Sequence, residues 1–211
     1  MVMAGPVEQH VPVRVAATTS TDGSDTTRDA LRQAAHDLLA SEGPGALTVR
    51  RLAAAAGMST MNIYSRFGGK DGVVEELYLA GFRTLAEQME GDGPSDDPMA
   101  DLEVCGRAYR TFAQQNPTYY SVMFDRTIAG FEPSDDAQAA ARGTLEALAH
   151  KLERAMQAGH LQQQDPLQAA ICVWSTCHGL MSLELKDVAP PGIDWEDAYA
   201  RTLAALLAGL A

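Results

Sequence analysis

An all-α fold of about nine helices is the class this sequence predicts, and three observations predict it. Apolar residues recur at spacings of three and four along most of the chain, no stretch alternates apolar and polar as a half-buried strand does, and clusters of Gly and Pro separate the periodic segments. The 211 residues are 46% hydrophobic and 21% charged, enough to bury a sizeable core. No apolar run approaches the roughly 18 residues that a membrane-spanning helix needs, so no membrane partner is expected.

Residues 1–26 read as a disordered tail. The stretch from Thr18 to Thr27 is Thr, Ser, Asp and Gly with few large apolar side chains, too little to offset the entropy of ordering. Glu8, Gln9, His10 and Arg14 interrupt what would have to be the apolar part of a secretion signal. The first helix is expected near Arg28–Glu42, where Ala30, Leu31, Ala34, Ala35, Leu38 and Leu39 make one buried face and Gly43-Pro44-Gly45 ends the pattern. Thr48 is a good N-cap for a short second helix through Ala56, Gly57 suits a left-handed turn, and Ser59 caps a third helix through about Arg66. After Gly68-Gly69, Val73, Val74, Leu77, Leu85 and Met89 define a long helix over 70–90, about 30 Å at 1.5 Å per residue. Beyond the Gly, Pro and Asp-rich segment 91–98, helices are placed at 99–115, 117–124, 134–158, 166–186 and 194–208.

Cysteine usage and charge narrow the function classes. Cys105, Cys172 and Cys177 are odd in number and lack C-x-x-C spacing, which argues against a disulfide framework or structural zinc and suits a reducing cytoplasm. The five histidines are scattered, and neither G-x-S-x-G nor a Walker A run occurs, so no enzyme, cofactor or metal site is expected. The net charge of −12 is unevenly spread. Residues 28–70 carry six Lys and Arg against three carboxylates, whereas residues 71–211 carry nine against 22. One short basic segment therefore sits in an acidic protein, and it coincides with three helices of which the last two join at a tight glycine turn. That is the arrangement of a helix-turn-helix, whose second helix lies in the DNA major groove.

The run Leu47-Thr48-Val49-Arg50, Leu52-Ala53, Ala56-Gly57-Met58-Ser59, Ile63-Tyr64-Ser65-Arg66-Phe67 and Lys70 resembles the TetR family of bacterial repressors. The resemblance implies a DNA-binding head over 27–72 and a C-terminal ligand-binding and dimerisation domain over 73–211. Thr48, Ser59, Tyr64 and Lys70 would hold phosphates through hydroxyls, helix N-terminal amides and a point charge. Bases would be read by Thr60, Met61, Asn62, Ser65 and Arg66, with Arg50 reaching in from the preceding helix. Ile63 and Phe67 are read as core.

Within Val173–Leu180, Trp174, His178 and Gly179 resemble the Trp-x-x-x-His-Gly signature of a subset of those regulators. Trp174 and His178 share a helical face with Met181 and Leu185, which is expected to be buried. His178 reads either as a satisfied core histidine or as part of a ligand pocket. The pocket is expected among helices 99–124 and 166–186, where Tyr109, Phe112, Tyr119, Tyr120, Met123 and Phe124 are concentrated, joined by Trp174, His178 and Met181. Aromatic and Met residues at helical spacing are more often plain core. The family resemblance implies a homodimer on a palindromic DNA operator, released by a small, mostly apolar ligand. The alternative is a helical ligand-binding or interaction module without DNA binding.

Overall fold

A computed structural model describes residues 22–211, with side chains from Thr26 onward. Among the described residues there are nine α-helices and no strand: α1 Asp22–Glu42, α2 Val49–Ala55, α3 Thr60–Phe67, α4 Lys70–Glu90, α5 Pro98–Gln115, α6 Pro117–Phe124, α7 Asp135–Gln157, α8 Pro166–Leu185 and α9 Trp195–Gly209. A single 3₁₀ turn at Pro44–Ala46 follows α1. The first helix starts five residues ahead of the expected tail boundary at Thr27, because Asp22–Thr26 carries no apolar residue for periodicity to detect. The rest of the expected tail, residues 1–21, lies outside the described residues.

Local chemistry sets the ends of these helices. The Thr48 hydroxyl accepts from the Arg51 N–H at 3.3 Å and the Ser59 hydroxyl from the Asn62 N–H at 3.2 Å, each supplying one of the N-terminal donors with a partner. Asp97, Ser134, Asp165 and Asp194 cap α5, α7, α8 and α9 in the same way, and Pro98, Pro117 and Pro166 begin their helices where no N–H is needed. Gly57 at φ 65° makes the turn from α2 to α3, a conformation in which a Cβ would be strained.

One continuous apolar core joins both ends of the molecule. Leu31, Leu52, Ile63, Val74 and Leu77 are fully buried where α1 to α4 meet. Farther along α4, Tyr78, Phe82, Leu85 and Met89 pack into the C-terminal helices, so consecutive residues Leu77 and Tyr78 belong to the two halves of the core. Helix α1 also touches α6, where the His36 and Tyr119 ring centroids are 5.2 Å apart. On the far side α5 and α9 are in close approach: a Cβ on Gly106 would lie 2.3 Å from Leu203 Cδ2, and Tyr199 donates to the Gly106 carbonyl at 2.8 Å.

The loop between α4 and α5 is fastened to α7. Arg154 donates to Asp101 at 2.7 Å and to the Ser95 carbonyl at 2.6 Å. Hydrogen bonds from Ser95 and Arg154 hold the Asp101 carboxyl down at about 2. One expectation is corrected here: of the Trp174, His178, Met181 and Leu185 face only Met181 is buried, Trp174 and His178 being half-buried. Leu185 is 36% exposed in the last turn of α8.

Candidate nucleic-acid interface and adjoining cavity

Helix α3 buries only Ile63 fully and Phe67 in part, and presents everything else outward. Thr60, Met61, Asn62, Tyr64, Ser65 and Arg66 are exposed, Met61 to 72% and Tyr64 to 57%, large apolar surfaces that the chain itself leaves uncovered. Thr48, Arg50 and Ser59 are exposed beside them, and Lys70, half-buried, stands at the start of α4. The Thr48 and Ser59 oxygens accept backbone hydrogen bonds, which leaves their protons available to donate to a phosphate. The Ser65 hydroxyl donates back to the Asn62 backbone carbonyl at 3.3 Å, and Asn62 itself is exposed.

Charge pairing sharpens this face. Arg28 is paired with Glu76 at 3.6 Å, Arg32 with Asp29 at 2.9 Å, Lys70 with Asp71 at 3.7 Å, and Arg51 tightly with Glu42. The last hydrogen bond lowers the Glu42 carboxyl and raises the Arg51 guanidinium from their ordinary ranges. Among the described residues Arg50 and Arg66 have no such partner, so the head's uncompensated positive charge is concentrated at the two arginines that flank the outward face of α3. An arginine with its full set of donors free is the side chain best suited to phosphate oxygens or a guanine edge.

Adjacent to this head, α4 to α9 enclose a cavity of about 330 Å³. Of the residues expected to line it, Tyr109, Met123, Phe124 and Trp174 do. Phe112, Tyr120, His178 and Met181 do not: Phe112, Tyr120 and Met181 are buried behind the wall, and His178 is half-buried. Phe112 and Met181 are fully enclosed by core. Tyr120 and His178 form a polar cluster with Tyr109: the Tyr120 hydroxyl is 2.7 Å and the Tyr109 hydroxyl 3.2 Å from His178 Nδ1, and the two hydroxyls are 3.4 Å apart. Burial pushes Tyr120 up to about 12 and raises Tyr109 as well, and it lowers His178 below its usual value. All three are therefore neutral near pH 7, and the His178 tautomer sets which way the hydrogen bonds to Nδ1 run. His178 is thus a satisfied histidine that props Tyr109, Phe124 and Trp174, the last two at ring-centroid distances of 5.0 and 5.5 Å. Among the described residues no group of three or more His, Cys, Asp or Glu is placed to hold a metal ion.

Two family models match the chain. The one described as "Bacterial regulatory proteins, tetR family" covers residues 31–77, and the one described as "Tetracyclin repressor-like, C-terminal domain" covers residues 102–206. The chain belongs to the TetR family. It is accordingly a DNA-binding transcriptional regulator, and the face built by α2 and α3 falls inside the first match. Solved structures share the fold. A Rhodococcus sp. RHA1 protein of unknown function is 19% identical with a TM-score of 0.78 over 96% of this chain and 100% of that one. PfmR, a TetR family transcriptional regulator from Thermus thermophilus, is 23% identical with a TM-score of 0.67 over 86% and 98%. The fatty acid degradation regulator FadR from Bacillus halodurans is 18% identical with a TM-score of 0.70 over 87% and 96%. A search of curated protein sequences finds no match.

For this TetR-family chain, sequence reasoning missed most of the cavity wall. Tyr78, Phe82, Leu85 and Met89 come from α4, Arg142 and Leu145 from α7, and Leu203 and Leu207 from α9. The signal on α4 was present, since Tyr78, Phe82, Leu85 and Met89 follow one stripe at spacings of four, three and four. The described residues include no helix long and apolar enough to cross a membrane.

Proposed function

We propose that the chain acts in the cytoplasm as a homodimeric repressor, holding a palindromic operator through the α2–α3 face and releasing it when a mostly apolar ligand enters the cavity. The division into a head over 27–72 and a ligand-binding and dimerisation body over 73–211 is part of this reading, and the body has no catalytic role in it. One observation carries it: the same helix, α4, supplies Val73, Val74 and Leu77 to the core beneath the head and Tyr78, Phe82, Leu85 and Met89 to the cavity wall. A ligand that displaces the second set tilts the first, and because packed cores shift between discrete arrangements, the head follows. Helix α6 supports the same coupling, with Met123 and Phe124 in the wall and Tyr119 against His36 of α1. Release requires only that the ligand bind better to the conformation with misaligned heads.

The outer face of α8 supports the dimer. Leu167, Ile171 and Leu183 are 45%, 38% and 48% exposed, with Ser175 and Gly179 continuing the same stripe at spacings of four. A Cβ on Gly179 would meet nothing within 4 Å, so packing within the chain does not require this glycine. A second copy's helix pressed against it would. Paired α8 and α9 helices related by a two-fold axis would present two heads to matching half-sites, centred about 34 Å apart or more. Sedimentation equilibrium of the chain, alone and with its operator, tests the assembly. The expected result is a dimer in solution and two chains per inverted repeat; a monomer that binds a single half-site equally well would refute it.

A further inference from the structure

Some of the cavity's polar groups are committed to the protein itself, whereas the Tyr78 hydroxyl has no hydrogen-bond partner among the described residues. Thr144 donates to the Ala140 carbonyl at 3.3 Å, and the Tyr109 hydroxyl is held in the cluster with Tyr120 and His178. Burial keeps the Cys105 and Cys177 thiols protonated, Cys105 at about 11. The remaining lining is aliphatic, aromatic or Met, apart from Arg142. Arg142 is both a wall residue and an exposed one, which puts it at the rim. In a region with 22 carboxylates against nine cations, Arg107, Arg110, Lys151, Arg154, Lys186 and Arg201 are each paired to an acid; Arg83, Arg126 and Arg142 have no ion pair or hydrogen bond among the described residues, and of these three Arg142 lines the cavity. No carboxylate lines the cavity.

We infer that the ligand is an amphiphile with one anionic end, whose apolar body fills the cavity and whose carboxylate is received at the rim by Arg142. The inference rests on reading the cavity as the regulatory site. A guanidinium with all its donors available matches a carboxylate two-pronged, whereas a neutral or cationic end would leave it unpaired. The volume bounds the body: about 330 Å³ holds about ten groups of methylene or water size at roughly 30 Å³ each.

The test uses three ten-carbon probes, decanoate, decan-1-ol and decylamine, each titrated calorimetrically below its aggregation concentration into the full-length protein. Decanoate is expected to bind at least tenfold more tightly than decan-1-ol, with decylamine weakest. Arg142→Ala, on an exposed helical position where Ala is well tolerated, should reduce decanoate to the affinity of the alcohol. Arg142→Lys should restore part of the preference, and Arg142→Glu should turn it toward decylamine. Equal binding of decanoate and decan-1-ol to the native protein, or a preference that survives Arg142→Ala, overturns the anionic-end inference while leaving the cavity reading intact. Failure of all three probes to bind overturns both.

Discussion

Removing the phenol oxygens around His178 one at a time and then together tests the wall of the cavity by its energetics. Tyr120→Phe deletes the 2.7 Å partner of Nδ1, but the Tyr109 hydroxyl at 3.2 Å can take its place, so the expected loss is about 1 kcal/mol, that of an ordinary hydrogen bond. Tyr109→Phe leaves the shorter bond intact and should also cost about 1 kcal/mol. The double variant is different in kind, because Nδ1 then has neither hydroxyl and the penalty of an unsatisfied ring nitrogen is added. Its loss should therefore exceed the sum of the two single losses by about 1–2 kcal/mol. His178 is only half-buried, which favours the lower end of that range. Urea unfolding followed by circular dichroism, at one fixed protein concentration because the proposed dimer couples stability to association, measures all four corners of the cycle. A double variant whose loss equals the sum of the singles would show that the hydroxyls do not share His178, and the account of the wall would fail.

Other outcomes follow from the pairing, packing and titration described above. Arg50→Ala and Arg66→Ala should each weaken operator binding, and each should flatten the slope of log affinity against log salt by about 0.9 for every phosphate that the missing guanidinium had neutralised; Arg51→Ala, already engaged by Glu42, should change neither much. Gly179→Leu should weaken dimerisation, seen as a concentration-dependent monomer in sedimentation, without lowering monomer stability, because the added side chain meets open space and a helical glycine is replaced by a better helix former. Since the folded His178 titrates below its unfolded value of 6.5, the unfolded chain binds more protons as the medium is acidified. Its contribution to stability is complete above pH 6.5 and is lost as pH falls from there through the folded value. Thermal unfolding between about pH 7 and 5 should show this slope, and His178→Gln should flatten it.

How much of this was legible in the sequence depended on whether the signal was local. Caps, turns and periodicity are local, so Thr48, Ser59, Gly57 and the bounds of α4 could be read directly, whereas the outward residues of α3 came from the family resemblance. The start of α1 could not, because Asp22–Thr26 is polar throughout. The cavity is a property of how six helices meet. Periodicity marks Phe112, Tyr120, Met123 and Met181 alike as buried, yet only Met123 faces the space between helices. Nothing local distinguishes Tyr78, Phe82, Leu145 and Leu203 from ordinary core, or Arg142 from a solvated charge. The freedom of Arg50 and Arg66 was also hidden, since Arg28 finds its partner in Glu76 across two helices.

Selection of the purified protein on a random duplex library, repeated with the double variant Asn62→Ala and Arg66→Ala and followed by salt titration of the enriched duplex, tests the central claim most directly. The account predicts an inverted repeat whose affinity falls steeply with salt and is lost in the variant. A variant that binds the same repeat at full affinity, or a folded dimer that enriches no sequence, would contradict the assignment of α3 as the helix that reads DNA.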